Sequence, residues 1–218
     1  MPDAIERRFS ARLDCRYLVH TPERIDDAFT VFALHGYGMN AEIMLRLAST
    51  WFPDQRIFSM EAPYPFYNDW EKREVGYSWA AHTRSEESVR LHHEMLLHVL
   101  GESETPPMRR LLLGFSQPAG LNYRFAATHP DEIRGAIGVC GGVPGNWEEG
   151  PYKTVSASLL HIARAEDDAY PIESARDFPR RLRLRAADVE YQEYPGPHRF
   201  PSLAGPSVVN WVNRKFAP

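Results

Sequence analysis

Residues 111–120 read LLLGFSQPAG, and the way this stretch is read decides the fold. Residues 111–115 form a short apolar run, the pattern of a strand covered on both faces. From Ala119 onward the apolar residues recur with helical spacing, so Ser116 falls at a strand-to-helix turn. G-x-S-x-G is the turn that lifts a nucleophilic serine above the carboxyl edge of a sheet, and it holds that serine in a strained backbone conformation. Here Pro118 stands where the second glycine would be. The turn needs small neighbours, and Gly114, Ala119 and Gly120 supply them. Proline has no N–H, but the first N–H groups of a helix have no intrahelical partner, so a helix can begin at Pro118. The residue before a proline is driven toward extended conformations, which makes Gln117 a helix-flanking residue whose own N–H stays free. The competing reading is a serine that caps a helix and nothing more.

Working outward, FTVFALHG (29–36), IRGAIGVCGG (133–142) and SLLHIAR (158–164) are further compact apolar runs. RIFSMEA (56–62) and VEYQEYPG (189–196) are weaker ones, and RLDCRYLVH (12–20) alternates like an antiparallel edge strand. Between them, residues 40–52, 85–100, 118–132, 173–187 and 206–216 can each place an apolar stripe on one helix face. Strands alternating with helices predict an α/β layer protein with a mostly parallel sheet and helices on both faces. The 18 prolines cluster in loops, above all APYPFYNDW (62–70) and YPGPHRFPS (194–202).

With 218 residues, 43% of them hydrophobic, the chain can bury one sizeable core, so residues 1–218 are taken as a single domain. A formal net charge of −4 gives no electrostatic case for nucleic acid. Residues 1–10 carry charges in place of an apolar leader core, and no apolar run reaches the length of a membrane span, which predicts a cytoplasmic protein. Cys15 and Cys140 lie far apart and suggest apolar packing rather than a disulfide or a metal site. His92, His93 and His98 share a helical segment without a carboxylate or cysteine pattern, so they read as helix surface and no metal site is assigned. His161, inside an apolar run, reads as a packed core histidine.

A serine hydroxyl needs a base to take its proton and an acid to orient that base. In this kind of fold the order along the chain is Ser, then Asp or Glu, then His. After Ser116, IARAEDDAYP offers Asp167 and Asp168, and YPGPHRF offers His198. Each follows a strand-like run and so falls at the same sheet edge as Ser116. The residues alone leave the choice between the two aspartates open.

At these positions the chain resembles the phospholipase/carboxylesterase family of small α/β-hydrolases, which includes acyl-protein thioesterases and bacterial carboxylesterases. The resemblance runs nearly end to end, through LHGYGMN, APYP, GYSW, GFSQ, DDAYP and YPGPHRF. It implies the α/β-hydrolase fold, with Ser116 as nucleophile, Asp167 as acid four residues before Pro171, and His198 as base. His35-Gly36-Tyr37-Gly38 is similar to the family's other oxyanion loop, which assigns the N–H groups of Tyr37 and Gln117 as the oxyanion donors, with His35 orienting the loop. Departures are Pro118-Ala119 where the family has two glycines, and Ala163-Arg164 where it often has glycine-threonine. The resemblance further implies hydrolysis of an ester or thioester through an acyl-enzyme, with no cofactor; with the charge balance above, the expected partner is a small-molecule ester and not nucleic acid, and a homodimer is left open. Aromatics between Tyr64 and Trp79 offer a wall for an acyl chain, and Gly36, Tyr77 and Trp79 are the substrate-binding candidates. Rival readings are a dienelactone-type hydrolase or acyltransferase on the same scaffold, and a binding protein that keeps the three residues as a remnant.

Overall fold

The computed structural model describes residues 4, 5, 7, 9, 11–23 and 28–217. Most of the charged opening segment read against a leader lies outside the described residues. Seven strands form one sheet: β1 (Tyr17–His20), β2 (Thr30–Leu34), β3 (Arg56–Met60), β6 (Arg110–Phe115), β7 (Gly135–Val139), β8 (Ser158–Arg164) and β9 (Val189–Tyr194). Their spatial order is β1-β3-β2-β6-β7-β8-β9. Only β1 runs antiparallel, pairing with β3 at one edge, and β9 closes the other edge against β8.

Side chains alternate between the two faces of each strand, and the core divides accordingly. Phe32, Leu34 and Leu112 join Met95, Leu96, Val99, Leu121 and Phe125 on one face. Val31, Ala33, Leu111 and Leu113 join Met44, Ala48, Trp51, Val208, Trp211 and Val212 on the other. The first face is covered by α2 (Ser85–Glu102), α3 (Gln117–Thr128) and the short α4 (Ile172–Ala175) and α5 (Phe178–Leu182). The second is covered by α1 (Ala41–Trp51) and α6 (Gly205–Phe216). Asn40 starts α1 by accepting the N–H of Ile43 at 2.9 Å. No helix among the described residues is long and apolar enough to cross a membrane.

Four expectations need correction. Residues 62–70, read as a proline-stiffened loop, instead open a hairpin, β4 (Tyr64–Asp69) paired antiparallel with β5 (Glu74–Ser78). Pro65 is tolerated because a two-stranded ribbon has only one ladder to interrupt. Residues 173–187 are not one helix: Pro179 sits in the first turn of α5 and forces a restart after α4. His92 is sealed from solvent in α2, since it falls in the stripe of Ser88, Met95, Leu96 and Val99, and His93 is half-buried beside it. Cys15 is exposed, while Cys140 is buried.

Candidate active site

The candidate side chains gather at the carboxyl ends of the parallel strands. His35 follows β2, Ser116 follows β6, Cys140 follows β7, Asp167 follows β8 and His198 follows β9. Ser116 has φ 63° and ψ −116°, a left-handed strained conformation for a residue with a side chain. Two backbone bonds hold it there: its N–H donates to the Val139 carbonyl at 2.7 Å, and its carbonyl accepts from Ala119 at 3.1 Å. Close packing does the rest. A Cβ on Gly141 would stand 2.5 Å from the Ser116 carbonyl oxygen, and one on Gly114 would stand 2.7 Å from the Asn122 side chain.

Gln117 is the first helical residue, not a flanking one, and Pro118 takes the second position. Proline at that position still removes no helix hydrogen bond, so the elbow accommodates the ring without breaking the backbone.

The structure brings Ser116, His198 and Asp167 together. Ser116 Oγ lies 2.9 Å from His198 Nε2, and His198 Nδ1 lies 2.8 Å from Asp167 Oδ2. A carboxylate can only accept, so the proton sits on Nδ1 and leaves Nε2 to accept from the serine hydroxyl. Asp167 is buried, and its Oδ1 also accepts the N–H groups of Ala169 and Tyr170 at 2.9 and 2.8 Å. That turn aims one aspartate inward and leaves Asp168 exposed. The Phe115 ring stacks on the His198 ring at 5.4 Å, so the imidazole is held on its face as well as at its edge.

His35 is buried and clamps the loop that follows it. Its Nε2 accepts the Ala62 N–H at 3.0 Å, which puts the proton on Nδ1, where it donates to the Gly36 carbonyl at 2.8 Å. Burial lowers its pKa to about 4, so it stays neutral and keeps this tautomer. Gly38 makes the turn with φ 77°. Among the described residues, neither the Tyr37 N–H nor the Gln117 N–H is taken by a protein acceptor.

The substrate-binding candidates are placed differently from the expectation. Trp79 is fully buried and spends its indole N–H on the His35 carbonyl at 2.8 Å, so it supports the loop from behind. Gly36 is buried against Phe115. Tyr77 is half-buried and is tied by its backbone to Gly38 and Met39. The exposed aromatics are instead Tyr37, stacked on Phe66 at 4.6 Å, and Tyr67 and Trp70 farther out.

Three side-chain roles near the site escaped the sequence reading. The Gln117 side chain staples the hairpin to the elbow, accepting the Trp79 N–H at 2.8 Å and donating to Ser78 Oγ at 3.0 Å. The Tyr170 ring lies 5.8 Å from that of His198, and its phenol pKa is raised by burial and then by Asp167. Cys140, at φ 48°, places its thiol with Asp167 and His198 so that their potential ligand atoms lie within 4.8 Å of one another. Burial, more than the Asp167 charge, pushes the thiol up to about 12, so it keeps its proton. With the imidazole and carboxylate already bonded to each other, this group reads as a hydrogen-bonded set rather than an open ligand sphere. The glycines after Cys140 were the available signal that this backbone crowds the elbow.

The chain matches no protein-family model and no curated protein. Among solved structures it is similar to esterase PE8 (19% identity, TM-score 0.75, 94% of this chain and 100% of that one). It is similar to a carboxylesterase from Mesorhizobium loti (19%, 0.75, 97% and 99%) and to a Zea mays acyl-protein thioesterase 2 (18%, 0.70, 93% and 99%). The chain therefore has the α/β-hydrolase fold that the resemblance implied.

Proposed function

We propose that the chain hydrolyses carboxylic esters, and thioesters by the same route, through an acyl-enzyme on Ser116. What supports this is the relay from Ser116 Oγ through His198 to Asp167, two hydrogen bonds of 2.9 and 2.8 Å on a strained elbow. Ser116 Oγ attacks the ester carbonyl while His198 Nε2 takes its proton, and the imidazolium then gives that proton to the departing alcohol or thiol. Asp167 holds the tautomer and offsets the charge. Water, deprotonated by the same nitrogen, cleaves the acyl-enzyme and restores the serine. The developing oxyanion takes the Tyr37 and Gln117 N–H groups, each of which is worth roughly 3 kcal/mol in such a role. The similar structures are an esterase, a carboxylesterase and an acyl-protein thioesterase, which agrees with this chemistry. The reading takes residues 1–218 as one cytoplasmic domain acting on a small-molecule ester without a cofactor.

The test is fluorophosphonate labelling followed by peptide mapping, run beside a panel of p-nitrophenyl esters and acyl-CoAs. A label on Ser116 with ester turnover supports hydrolysis. A folded protein that neither labels nor turns over would be the binding-protein remnant, and transfer to an added alcohol in preference to water would make it an acyltransferase.

A further inference from the structure

Gln117, Gly120, Leu121 and Arg124 follow one another at positions i, i+3, i+4 and i+7 of α3, which places them in one stripe. All four line an open cleft of about 310 Å³ whose facing wall includes Val143 and Tyr170. One end of this cleft is lined by Gln117, which follows Ser116 in the chain, and by Tyr170, whose ring lies 5.8 Å from that of His198. Its middle is apolar, through Leu121 and Val143, and is kept open by Gly120, where even a Cβ would come within 3.1 Å of the Gly142 carbonyl. Its far end is lined by Arg124, whose backbone lies about 10 Å along the helix from that of Gln117 at the α-helical rise.

Among the described residues, the Arg124 guanidinium forms no ion pair with a carboxylate. Arg110, Arg176, Arg180, Arg181 and Arg214 each meet a carboxylate. Among the described residues Arg124 instead donates to the neutral Tyr152 hydroxyl and lies over that ring at 5.8 Å. Tyr152 in turn donates to Asn146, another uncharged group. A half-buried cation at the end of a cleft, with donors to spare, is built to accept an anion, and a guanidinium fork suits a carboxylate or a phosphate.

The geometry points to an ester that carries a carboxylate or phosphate about 10 Å from its scissile carbonyl, joined by an apolar spacer, with Arg124 as the residue that selects for it. This rests on the hydrolase reading above. Ser116 is the attacking atom, Leu121 and Val143 cover the spacer, and Arg124 takes the charged end.

The experiment compares kcat/KM for charged and neutral esters of matched length at low ionic strength. One arm puts the charge on the acyl side, with mono-p-nitrophenyl esters of adipic, suberic and azelaic acids against p-nitrophenyl hexanoate and octanoate. The other arms put it on the alcohol side, with acetyl esters of ω-hydroxyalkanoates and of ω-hydroxyalkyl phosphates against acetyl esters of plain alkanols. In at least one arm the charged ester should be preferred by about tenfold or more, the gain of one well-placed charge-assisted bond. The preference should collapse in Arg124→Gln, return in part in Arg124→Lys, and erode as salt is raised. Turnover of neutral esters reports whether each variant is folded. No preference for charge in any arm, or a preference that survives Arg124→Gln, would overturn the assignment of Arg124 while leaving the hydrolase intact. Absence of all ester turnover together with an unlabelled Ser116 would overturn the hydrolase reading itself, and this inference with it.

Discussion

The elbow around Ser116 and the β4–β5 hairpin beside it hold their residues by opposite means. Every residue of β6 is buried, and Ser116 itself is only 8% exposed. The elbow is fixed by backbone bonds to Val139 and Ala119, and by neighbours that leave no space for a Cβ. In the hairpin, Tyr67 is 51% and Trp70 73% exposed. It is secured by a few separable bonds: Gly38 N–H to the Tyr77 carbonyl, Tyr77 N–H to the Met39 carbonyl, Asn68 to the Gly38 carbonyl, and Trp79 N–H to the Gln117 side chain. Ser116 thus sits where packing permits little adjustment, whereas the adjacent surface can vary in sequence at small cost.

The largest expected effect lies at the elbow. Ser116→Ala should lower ester turnover by about 10⁶-fold with the melting temperature almost unchanged, because this hydroxyl serves chemistry and not packing. Retention of more than a tenth of the rate would remove Ser116 from the reaction. Next, Asp167→Asn should cost about 10⁴-fold by presenting the wrong histidine tautomer, while Asp168→Asn stays within about twofold. The opposite ranking in steady-state kinetics would transfer the role to the exposed neighbour.

The hairpin should be more forgiving. Gln117→Ala keeps the backbone N–H but cuts the staple to Ser78 and Trp79, so kcat/KM should fall roughly tenfold. A loss comparable to that of Ser116→Ala would mean that the hairpin is as rigidly required as the elbow, and the contrast would fail.

Acid should attack the support of the elbow. Burial is the first cause that depresses His35, His93 and His161 to about 4, and it lowers His92 and His129 as well. His92 packs edge-on to Trp79, which holds the His35–Gly38 loop from behind. These groups are neutral when folded, whereas the unfolded chain takes up their protons below about 6.5. Stability is therefore complete above that pH and declines as pH falls toward 4, by roughly 5 °C or more in melting temperature between pH 7 and pH 5. A melting temperature flat over that interval would show that the buried rings accept protons in place.

The smallest effect concerns Pro118. Pro118→Gly should leave turnover within about tenfold and cost on the order of 1 kcal/mol, because glycine loosens the unfolded chain. A gain well beyond tenfold would mean that the ring strains the elbow after all.

The sheet was legible because its central parallel strands are apolar runs with a helix behind them, as in residues 111–115 and 158–164. The hairpin was not, since Pro65, Asn68 and the charges around Trp70 read as loop, and a ribbon half-exposed on both faces has no clean alternation. Ser116 and His198 stood out through strand context and order. Asp167 and Asp168 are chemically identical, and only the turn formed with Ala169 and Tyr170 separates them. His92 had a signal that went unused, its place in the α2 stripe. Arg124 had none: a charged residue on a helix is read as solvated until the wall across from it is known.

The sheet ends at β9, whose outer side pairs with nothing among the described strands. An unpaired edge is a template for another chain, so its composition bears on aggregation. A second copy aligned antiparallel about the Tyr191–Gln192 midpoint would set each Glu190 opposite the other copy's Glu193, a like-charge pairing that works against continuation of the sheet. Both glutamates already have cationic partners within their own chain, Arg214 and Lys215 for Glu190 and Arg176 for Glu193, so each would have to give one up to relieve the clash. In that register the edge is guarded against fibre-like growth by its own glutamates.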